Sequence, residues 1–339
     1  MKPSKIVAAL LLSVAVLAGC SSGEQAQPPQ PPQPKGWVDD DVSFVADGLT
    51  IRGTYHHQKG AGPAPAALLI SESGPTDRNG DNAVVGPIGN MRQLAEQLSG
   101  LGVATLRYDK VGTGKTGLGP YNARPNDVVS AVYTKGAEAA IRYLADQPGT
   151  DKARISVYGH GEGAIHAMTL AADTTPGAPR VHSLGLFQPL PGRYLDIITN
   201  RVRGDASPQT LAAWLAAVDE VRTKGTAPAK LPEGLNAIVN PGNVRAVAET
   251  DKIDPLALAA KVPAGTPVLL TCSDTDSQAK CDTEKPLIDA LKHTALKVVE
   301  LRGVNHVLHD DPSDSIANLT KPSPLSPQVV TALGVFVGQ

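Results

Sequence analysis

Hydrophobic and polar positions along the chain fall into blocks that predict strands and helices in turn. Two alternating runs in DVSFVADGLTIRGTYHH flank Asp47-Gly48, a dipeptide typical of a tight β-hairpin. Between later helical patterns such as MRQLAEQLSGLG lie short, continuously apolar runs of strand length: AALLIS, VATLRYD, RISVYG, VHSLGLFQ, PVLLTCSD and LKVVELRG. This alternation predicts an α/β fold with a mostly parallel sheet and an antiparallel start.

The strand signal disappears between Gln188 and Pro263. In this interval SPQTLAAWLAAVDEVRTKG predicts one helix, and NVRAVAETDKIDPLALAAKV predicts one or two more. We therefore expect a core formed by residues 38–187 and 264–339, with residues 188–263 inserted as a helical cap. Open α/β sheets bind ligands at the carboxyl ends of their strands, so such a cap is placed to cover a ligand site.

The first 19 residues predict an export signal. A positively charged start precedes an apolar run over residues 6–17 that is too short to span a bilayer comfortably. The run ends in LAGC, which resembles a bacterial lipobox and implies cleavage before Cys20 and diacylglycerol on its thiol. An ordinary signal peptide that happens to contain a cysteine is the alternative. Residues 20–37, rich in Ser, Gln and Pro, are expected to form a disordered spacer.

Charge and cysteine content narrow the classes of partner. The formal net charge is −2 at pH 7, and no basic patch is interleaved with aromatic residues, so nucleic acid is not an expected partner. The expected location is the outer face of the bacterial cell membrane, through the lipid on Cys20. Beyond that residue the chain has two cysteines, Cys272 and Cys281, and in an exported protein a close pair predicts a disulfide. Two free buried thiols are the alternative.

Residues 155–168, ISVYGHGEGAIHAM, have the layout of a strand, a glycine-flanked turn and a small-residue helix. A nucleophile elbow, G-x-S-x-G, has this layout, but Gly161 stands where the serine belongs. Four more segments occur in the order found in serine hydrolases: LLISESGPTDRNGDN, LRYDKVGTGKTG, and the strand ends TCSDTDSQ and GVNHVLH. Together these segments resemble a bacterial α/β-hydrolase of the serine aminopeptidase or esterase-like type.

The resemblance implies the α/β-hydrolase fold and assigns three positions of a triad. Gly161 matches the nucleophile position, Asp276 matches the acid and His306 matches the base. Asp274 is the alternative acid, because the same strand end offers both carboxylates. On a simpler interpretation, Asp276 only caps a turn and His306 only bonds a loop carbonyl.

The same resemblance implies where an oxyanion would bind. The backbone N–H of Glu162, just past the elbow, matches one donor, and the neighbourhood of Ser73 and Gly74 supplies a second. Glu72 departs from the glycine that the resemblance leads us to expect. Its carboxylate either disturbs the anion site or points to solvent.

A hydrolase of this type needs an oxygen nucleophile against an imidazole that an acid orients, and glycine supplies none. Removing the serine of such a triad costs about 10⁶-fold in turnover. We therefore expect an incomplete triad, defective in acyl-enzyme catalysis, with a retained pocket for a small ester, acyl or peptide ligand. The alternative is a slow hydrolase in which Asp276 and His306 activate a water in the space that the missing side chain leaves. Gly161→Ser is predicted to restore esterase activity.

No cofactor and no metal are expected. DKVGTGKT resembles a phosphate-binding loop, but Asp109 stands where that loop needs its first glycine. His306 and His309, with the two aspartates that follow, have the spacing of metal ligands, yet loop residues of this kind are usually solvated. His160 fills the variable position of the elbow and is expected to pack.

Overall fold

One eight-stranded sheet forms the centre of the protein, described by a computed structural model over residues 36–232, 234–319 and 321–338. The strand order is β1-β2-β4-β3-β5-β6-β7-β8. Pairing is antiparallel between β1 and β2 and between β2 and β4, and parallel between all other neighbours. The predicted mostly parallel sheet with an antiparallel start is confirmed. The strands are β1 (Trp37–Ala46), β2 (Leu49–Gln58), β3 (Ala64–Ile70), β4 (Ala104–Tyr108), β5 (Thr150–His160), β6 (Ser183–Phe187), β7 (Pro267–Ser273) and β8 (Ala295–Leu301).

Helices connect the parallel strands and follow the last one. They are α1 (Asn90–Gly100), α2 (Ser130–Ala145), α3 (Gly163–Ala172), α4 (Tyr194–Asp205), α5 (Pro208–Lys224), α6 (Val244–Asp251), α7 (Pro255–Ala259), α8 (Cys281–Ala290), α9 (Ile316–Leu319) and α10 (Pro327–Val337). Short 3₁₀ turns occur at Gly119–Tyr121, Pro125–Asp127 and Leu235–Ala237. Helix α2 begins only at Ser130, because Pro125–Asp127 forms a 3₁₀ turn and Val129 is extended.

Apolar side chains cover both faces of the sheet, which explains why its central strands read as continuous apolar runs. Successive residues of a strand point to opposite faces. On β3, Leu68 packs in the cluster that includes Met168 of α3, whereas Leu69 packs in the cluster that includes Leu94 of α1 and Leu333 of α10. Burial on both sides is the condition for a parallel sheet covered by helices.

The segment between β6 and β7 has an apolar cluster of its own. Trp214 of α5 is fully buried and donates from Nε1 to Thr199 Oγ1 of α4 at 2.9 Å. The buried Asp251 carboxylate of α6 links the helices of this segment to one another. It accepts hydrogen bonds from Arg222 of α5 at 2.8 Å and from Arg193, just before α4, at 3.1 Å. Helix α7 packs instead against the core helices α3 and α8.

The predicted signal peptide, the lipidation residue Cys20 and the spacer up to residue 35 lie outside the described residues. Among the residues that are described, no helix is both long enough and apolar enough to cross a membrane.

Candidate functional site

The turn between β5 and α3 brings Gly161 to the carboxyl end of the sheet. Its φ is 52°, a left-handed backbone conformation that glycine adopts without a steric penalty. The N–H of Gly161 donates to the carbonyl of Phe187 on β6 at 3.0 Å. At the start of α3, Gly163 lies so close to β3 that a Cβ there would overlap the backbone carbonyl of Ile70. The glycines of GHGEG therefore permit a sharp strand-to-helix turn packed against the sheet.

His306 and Asp276 meet in the loops that follow β8 and β7. His306 Nδ1 lies 2.8 Å from Asp276 Oδ2, and the N–H of Gln278 holds the other carboxylate oxygen at 2.7 Å. Both side chains are buried. The alternative acid, Asp274, does not contact the imidazole: it is partly exposed and accepts from the N–H of Gly303 at 2.8 Å.

Glu72, two residues after β3, turns into the site rather than toward solvent. Its Oε2 lies 2.8 Å from His306 Nε2, on the side of the ring opposite Asp276. Its Oε1 accepts the backbone N–H of Ser73 at 2.5 Å and that of Glu162 at 3.1 Å. The structure thus brings together two of the N–H groups that the resemblance implies as oxyanion donors, and both donate to this carboxylate oxygen.

Gly74 lies in the same turn and has a φ of 69°. Its carbonyl accepts the N–H of Thr76 at 2.8 Å, which closes the turn. The side chain of Thr76 in turn donates to the carbonyl of Ser73 at 2.8 Å. Gly74 therefore shapes the loop that carries Glu72.

The Glu72 carboxylate fills the volume that a side chain at position 161 would need. A Cβ built on Gly161 would overlap both oxygens and the carboxyl carbon of Glu72. The space left by the missing serine is occupied by protein, which corrects the water-filled gap on which the slow-hydrolase alternative depends. It also corrects the expectation that Gly161→Ser restores activity by itself, because a serine has no room while Glu72 stays in place.

His306 is an imidazolium held between two carboxylates. Burial by itself would lower its pKa, but the charge and hydrogen bond of Asp276, together with those of Glu72, raise the pKa to about 10. Contacts with His306 also hold the pKa of both carboxyls below their usual range in spite of burial. At neutral pH Nε2 therefore donates to Glu72 and offers no lone pair to accept a proton.

His160 also belongs to this cluster, contrary to the expectation that it only packs. Its Nε2 donates to the backbone carbonyl of His306 at 2.7 Å, and its Nδ1 lies 3.5 Å from Asn90 Nδ2. Burial and the positive charge of His306 lower the pKa of His160 to about 4, so its ring is neutral at pH 7. The sequence signal available for His160 was its place in the elbow itself.

Lys110 fixes the loop that carries Glu72 and was not singled out by sequence. It follows β4 and is buried, and its Nζ donates to the backbone carbonyls of Glu72 and of Ser71, the latter at 3.2 Å. Burial lowers the pKa of Lys110, although the nearby carboxylates of Glu162 and Glu72 oppose that effect. The signal for both Glu72 and Lys110 was their position just after neighbouring strands, whose carboxyl ends share one edge of the sheet.

The helical segment between β6 and β7 reaches this edge through Arg201 of α4. The Nη2 of Arg201 donates to Gln278 Oε1 at 3.3 Å, two residues from the buried Asp276. Burial lowers the pKa of Arg201, while the carboxylates of Asp276 and Glu72 raise it. A cavity of about 710 Å³, lined in part by Arg142 and Thr266, lies elsewhere, at the amino ends of β5 to β7.

The predicted disulfide links Cys272 at the end of β7 to Cys281 at the start of α8. Their Cα atoms are 4.9 Å apart, and the closed loop contains Asp276. The bond therefore restrains the segment that presents this carboxylate to His306.

A sharp turn after β5, an acid after β7 and a histidine after β8 define the class of an α/β-hydrolase. The sequence profile of the Alpha/beta hydrolase family matches residues 87–319, more than half of the chain, so the protein belongs to that family.

Curated relatives match part of the chain in sequence. A Mycobacterium tuberculosis protein, itself uncharacterised, is 30% identical over 139 residues, which are 41% of this chain and 43% of the relative. Esterase EstD of Thermotoga maritima is 30% identical over 129 residues, which are 37% of this chain and 29% of the esterase. The chain thus matches less than half the length of these curated relatives.

Solved structures extend the comparison to almost the whole described fold. Est1E from Butyrivibrio proteoclasticus superposes with a TM-score of 0.54 at 17% identity and covers 87% of this chain and 96% of its own. The Pyrococcus furiosus esterase PF2001 gives a TM-score of 0.57 at 16% identity, covering 91% and 96%. At these identities the structures establish a shared fold, and the predicted α/β-hydrolase fold is confirmed.

Proposed function

We propose that this protein is an exported, lipid-anchored, esterase-like α/β-hydrolase that forms no serine acyl-enzyme and binds a small ester, acyl or peptide ligand. The observation that carries the proposal is the Glu72 carboxylate, which lies between His306 Nε2 and the backbone N–H groups of Ser73 and Glu162. The esterases among the relatives support a small ester or acyl group as the ligand.

Acyl transfer at this site would need three features of the site that the Glu72 carboxylate blocks. The nucleophile must project from position 161, the base must accept a proton at Nε2, and two N–H groups must receive the oxyanion. Glu72 overlaps the first position and bonds at the other two. A missing triad serine alone costs about 10⁶-fold in turnover, and a blocked oxyanion site removes part of what remains.

The alternative, water activation by Asp276 and His306, has weaker support. Nε2 of His306 donates to Glu72, and the imidazole is already protonated at neutral pH, so it is not a base there. This route would need Glu72 to leave the site first.

The test is a set of four forms: the unmodified protein, Gly161→Ser, Glu72→Gly, and the double variant. Each is incubated with a fluorophosphonate probe and assayed for a burst with p-nitrophenyl acetate. We expect labelling and a burst in the double variant alone, because only it has both a hydroxyl and the room for it. Adding His306→Ala to the double variant is the matched control and should abolish both signals.

Two results would contradict the proposal. Labelling or a burst in the unmodified protein would reveal a nucleophile elsewhere. A folded double variant that neither reacts nor binds the probe would mean that Asp276, His306 and position 161 do not form a triad geometry.

The anchoring part of the proposal rests on the LAGC segment and has its own test. Mass spectrometry of the N-terminal peptide from a bacterial host should find a lipid on Cys20 and no residues before it. Cys20→Ala should abolish both the modification and the recovery of the protein in the membrane fraction. An unmodified Cys20 in membrane-derived material would contradict lipidation.

A further inference from the structure

Glu72, His160 and His306 converge although they lie far apart in the chain. Each offers one ligand atom that lies within 4.8 Å of the other two, and all three residues are buried. We propose that these residues form a binding site for a divalent transition-metal ion of the Zn²⁺ type. This set differs from the pair His306 and His309, whose spacing in the sequence resembles that of metal ligands. It also departs from the expectation that the protein has no metal site.

The donor set suits zinc. Two imidazole nitrogens and one carboxylate oxygen are the protein ligands of a common class of zinc site, at bond lengths of about 2.0–2.2 Å. In a tetrahedral arrangement such atoms stand about 3.3 Å apart. Glu72 Oε2 and His306 Nε2, now 2.8 Å apart, would separate by about half an ångström as the metal replaces the proton between them.

Both imidazoles are already oriented through their other nitrogen. His306 bonds from Nδ1 to Asp276 at 2.8 Å, and His160 bonds from Nε2 to the backbone carbonyl of His306 at 2.7 Å. Partners of this kind, a carboxylate and a backbone carbonyl, fix the ring and the tautomer of metal-binding histidines. They leave two atoms to hold the metal: His306 Nε2, now bonded to Glu72, and His160 Nδ1, which has a 3.5 Å contact with Asn90 Nδ2.

The remaining contacts hold the carboxylate of the third ligand, Glu72. Glu72 Oε1 is fixed by the backbone N–H groups of Ser73 and Glu162, which leaves Oε2 to turn toward the metal. Beside His160, the amide of Asn90 presents its Nδ2 atom to the ring at 3.5 Å, and its Oδ1 atom lies against Gly80. Nδ2 would have to withdraw for a metal to bind His160 Nδ1.

Charge also favours a divalent cation. The site holds two buried carboxylates, Glu72 and Asp276, which contact His306 on opposite sides of its ring. Nearby, the charge of Lys110 is opposed by Glu162 and Glu72, and that of Arg201 by Asp276 and Glu72. A dication bound here would pair with the two carboxylates, and buried charges are tolerated when they are paired or coordinate a metal.

The experiment uses the full chain after treatment with a chelator. Zn²⁺ binding is measured by calorimetry, and Co²⁺ is added as a spectroscopic probe. We expect one equivalent of Zn²⁺, visible Co²⁺ absorption of tetrahedral intensity, and two imidazoles in the X-ray absorption spectrum. Glu72→Gln and His160→Ala should each weaken binding by at least about 100-fold, because even partners of metal ligands contribute about 10–100-fold.

His182→Ala, which removes an exposed histidine far from the site, is the matched control and should bind as the unmodified protein does. Circular dichroism checks that each variant is folded. If one of the two ligand variants does not fold, the other still tests the proposal. Absence of a stoichiometric site would overturn the proposal. Binding that survives both ligand variants but falls in the control would assign the metal to surface histidines and overturn it as well. Fluorophosphonate labelling reports the proposed function separately, since a bound metal adds no serine.

Discussion

Substitution of positions 161 and 72, singly and together, gives the sharpest test of the site. A side chain at position 161 and the Glu72 carboxylate would occupy the same volume. Gly161→Ser alone places a side chain on a backbone with a φ of 52°, which costs about 1–2 kcal/mol. It also forces the Glu72 carboxylate away from His306. Breaking a buried ion pair by removing one partner costs about 3–5 kcal/mol. We therefore expect the single variant to lose about 4–7 kcal/mol of unfolding free energy.

Glu72→Gly removes the same ion pair from the other side, at a cost of about 3–5 kcal/mol. In the double variant this pair is lost only once, so the two losses are not additive. The coupling energy should be about 3 kcal/mol in favour of the double variant, the upper end of the range for residues in contact. Gly161→Ala, which adds the Cβ without a hydroxyl, separates the steric overlap from any new hydrogen bond.

The assay is urea unfolding of the four forms at pH 7, followed by circular dichroism and compared at equal m-values. Additivity within about 0.5 kcal/mol would refute the reasoning, because independent sites behave in that way. It would mean that the Glu72 side chain does not occupy the space beside Gly161.

Three further predictions concern residues around the site. Burial lowers the pKa of His166 to about 3, below the unfolded value of about 6.5, so its contribution to stability is lost as the pH falls below about 6.5. His166→Gln should remove about 2 kcal/mol of the loss between pH 7 and pH 5 in urea titrations, and an unchanged pH dependence would contradict this. Replacing Cys272 and Cys281 by alanine opens a short loop and should cost about 2–3 kcal/mol, which thermal unfolding with and without reductant will measure. Asp251→Asn, which removes the buried carboxylate shared by Arg193 and Arg222 and leaves Arg222 only its bond to Asp196, should cost about 3 kcal/mol, and a loss below about 0.5 kcal/mol would show that the ion cluster is not stabilising.

The fold was predictable because its signals are local or periodic. The hairpin at Asp47-Gly48 has positive φ at both turn residues, the geometry that this dipeptide favours. The buried strands are continuously apolar because helices cover both faces of the sheet. The start of α2 is harder to predict, because Asn126 and Asp127, residue types typical of a helix start, belong to a separate 3₁₀ turn.

The orientation of Glu72 was not predictable, because it depends on partners distant in sequence. Sequence alone left its carboxylate pointing either to solvent or into the anion site. The choice depends on Lys110, which fixes the backbone of the loop, and on His306, which supplies the positive charge. His160 was missed for the same reason, since its bond to the carbonyl of His306 joins two loops that meet only in the folded protein.

The presence of both Asp276 and His306 does not by itself indicate hydrolysis. Without Glu72, Nε2 of the buried His306 and the backbone N–H groups of Ser73 and Glu162 would lose the carboxylate that they contact. A buried polar group that loses its partner costs about 1–3 kcal/mol. The Glu72 carboxylate satisfies all of them at once, so glycine at 161 and glutamate at 72 stabilise each other. A fully satisfied buried network is stabilising in its own right, so Asp276 and His306 are kept in place by the stability of this network, whether or not the site turns over a substrate.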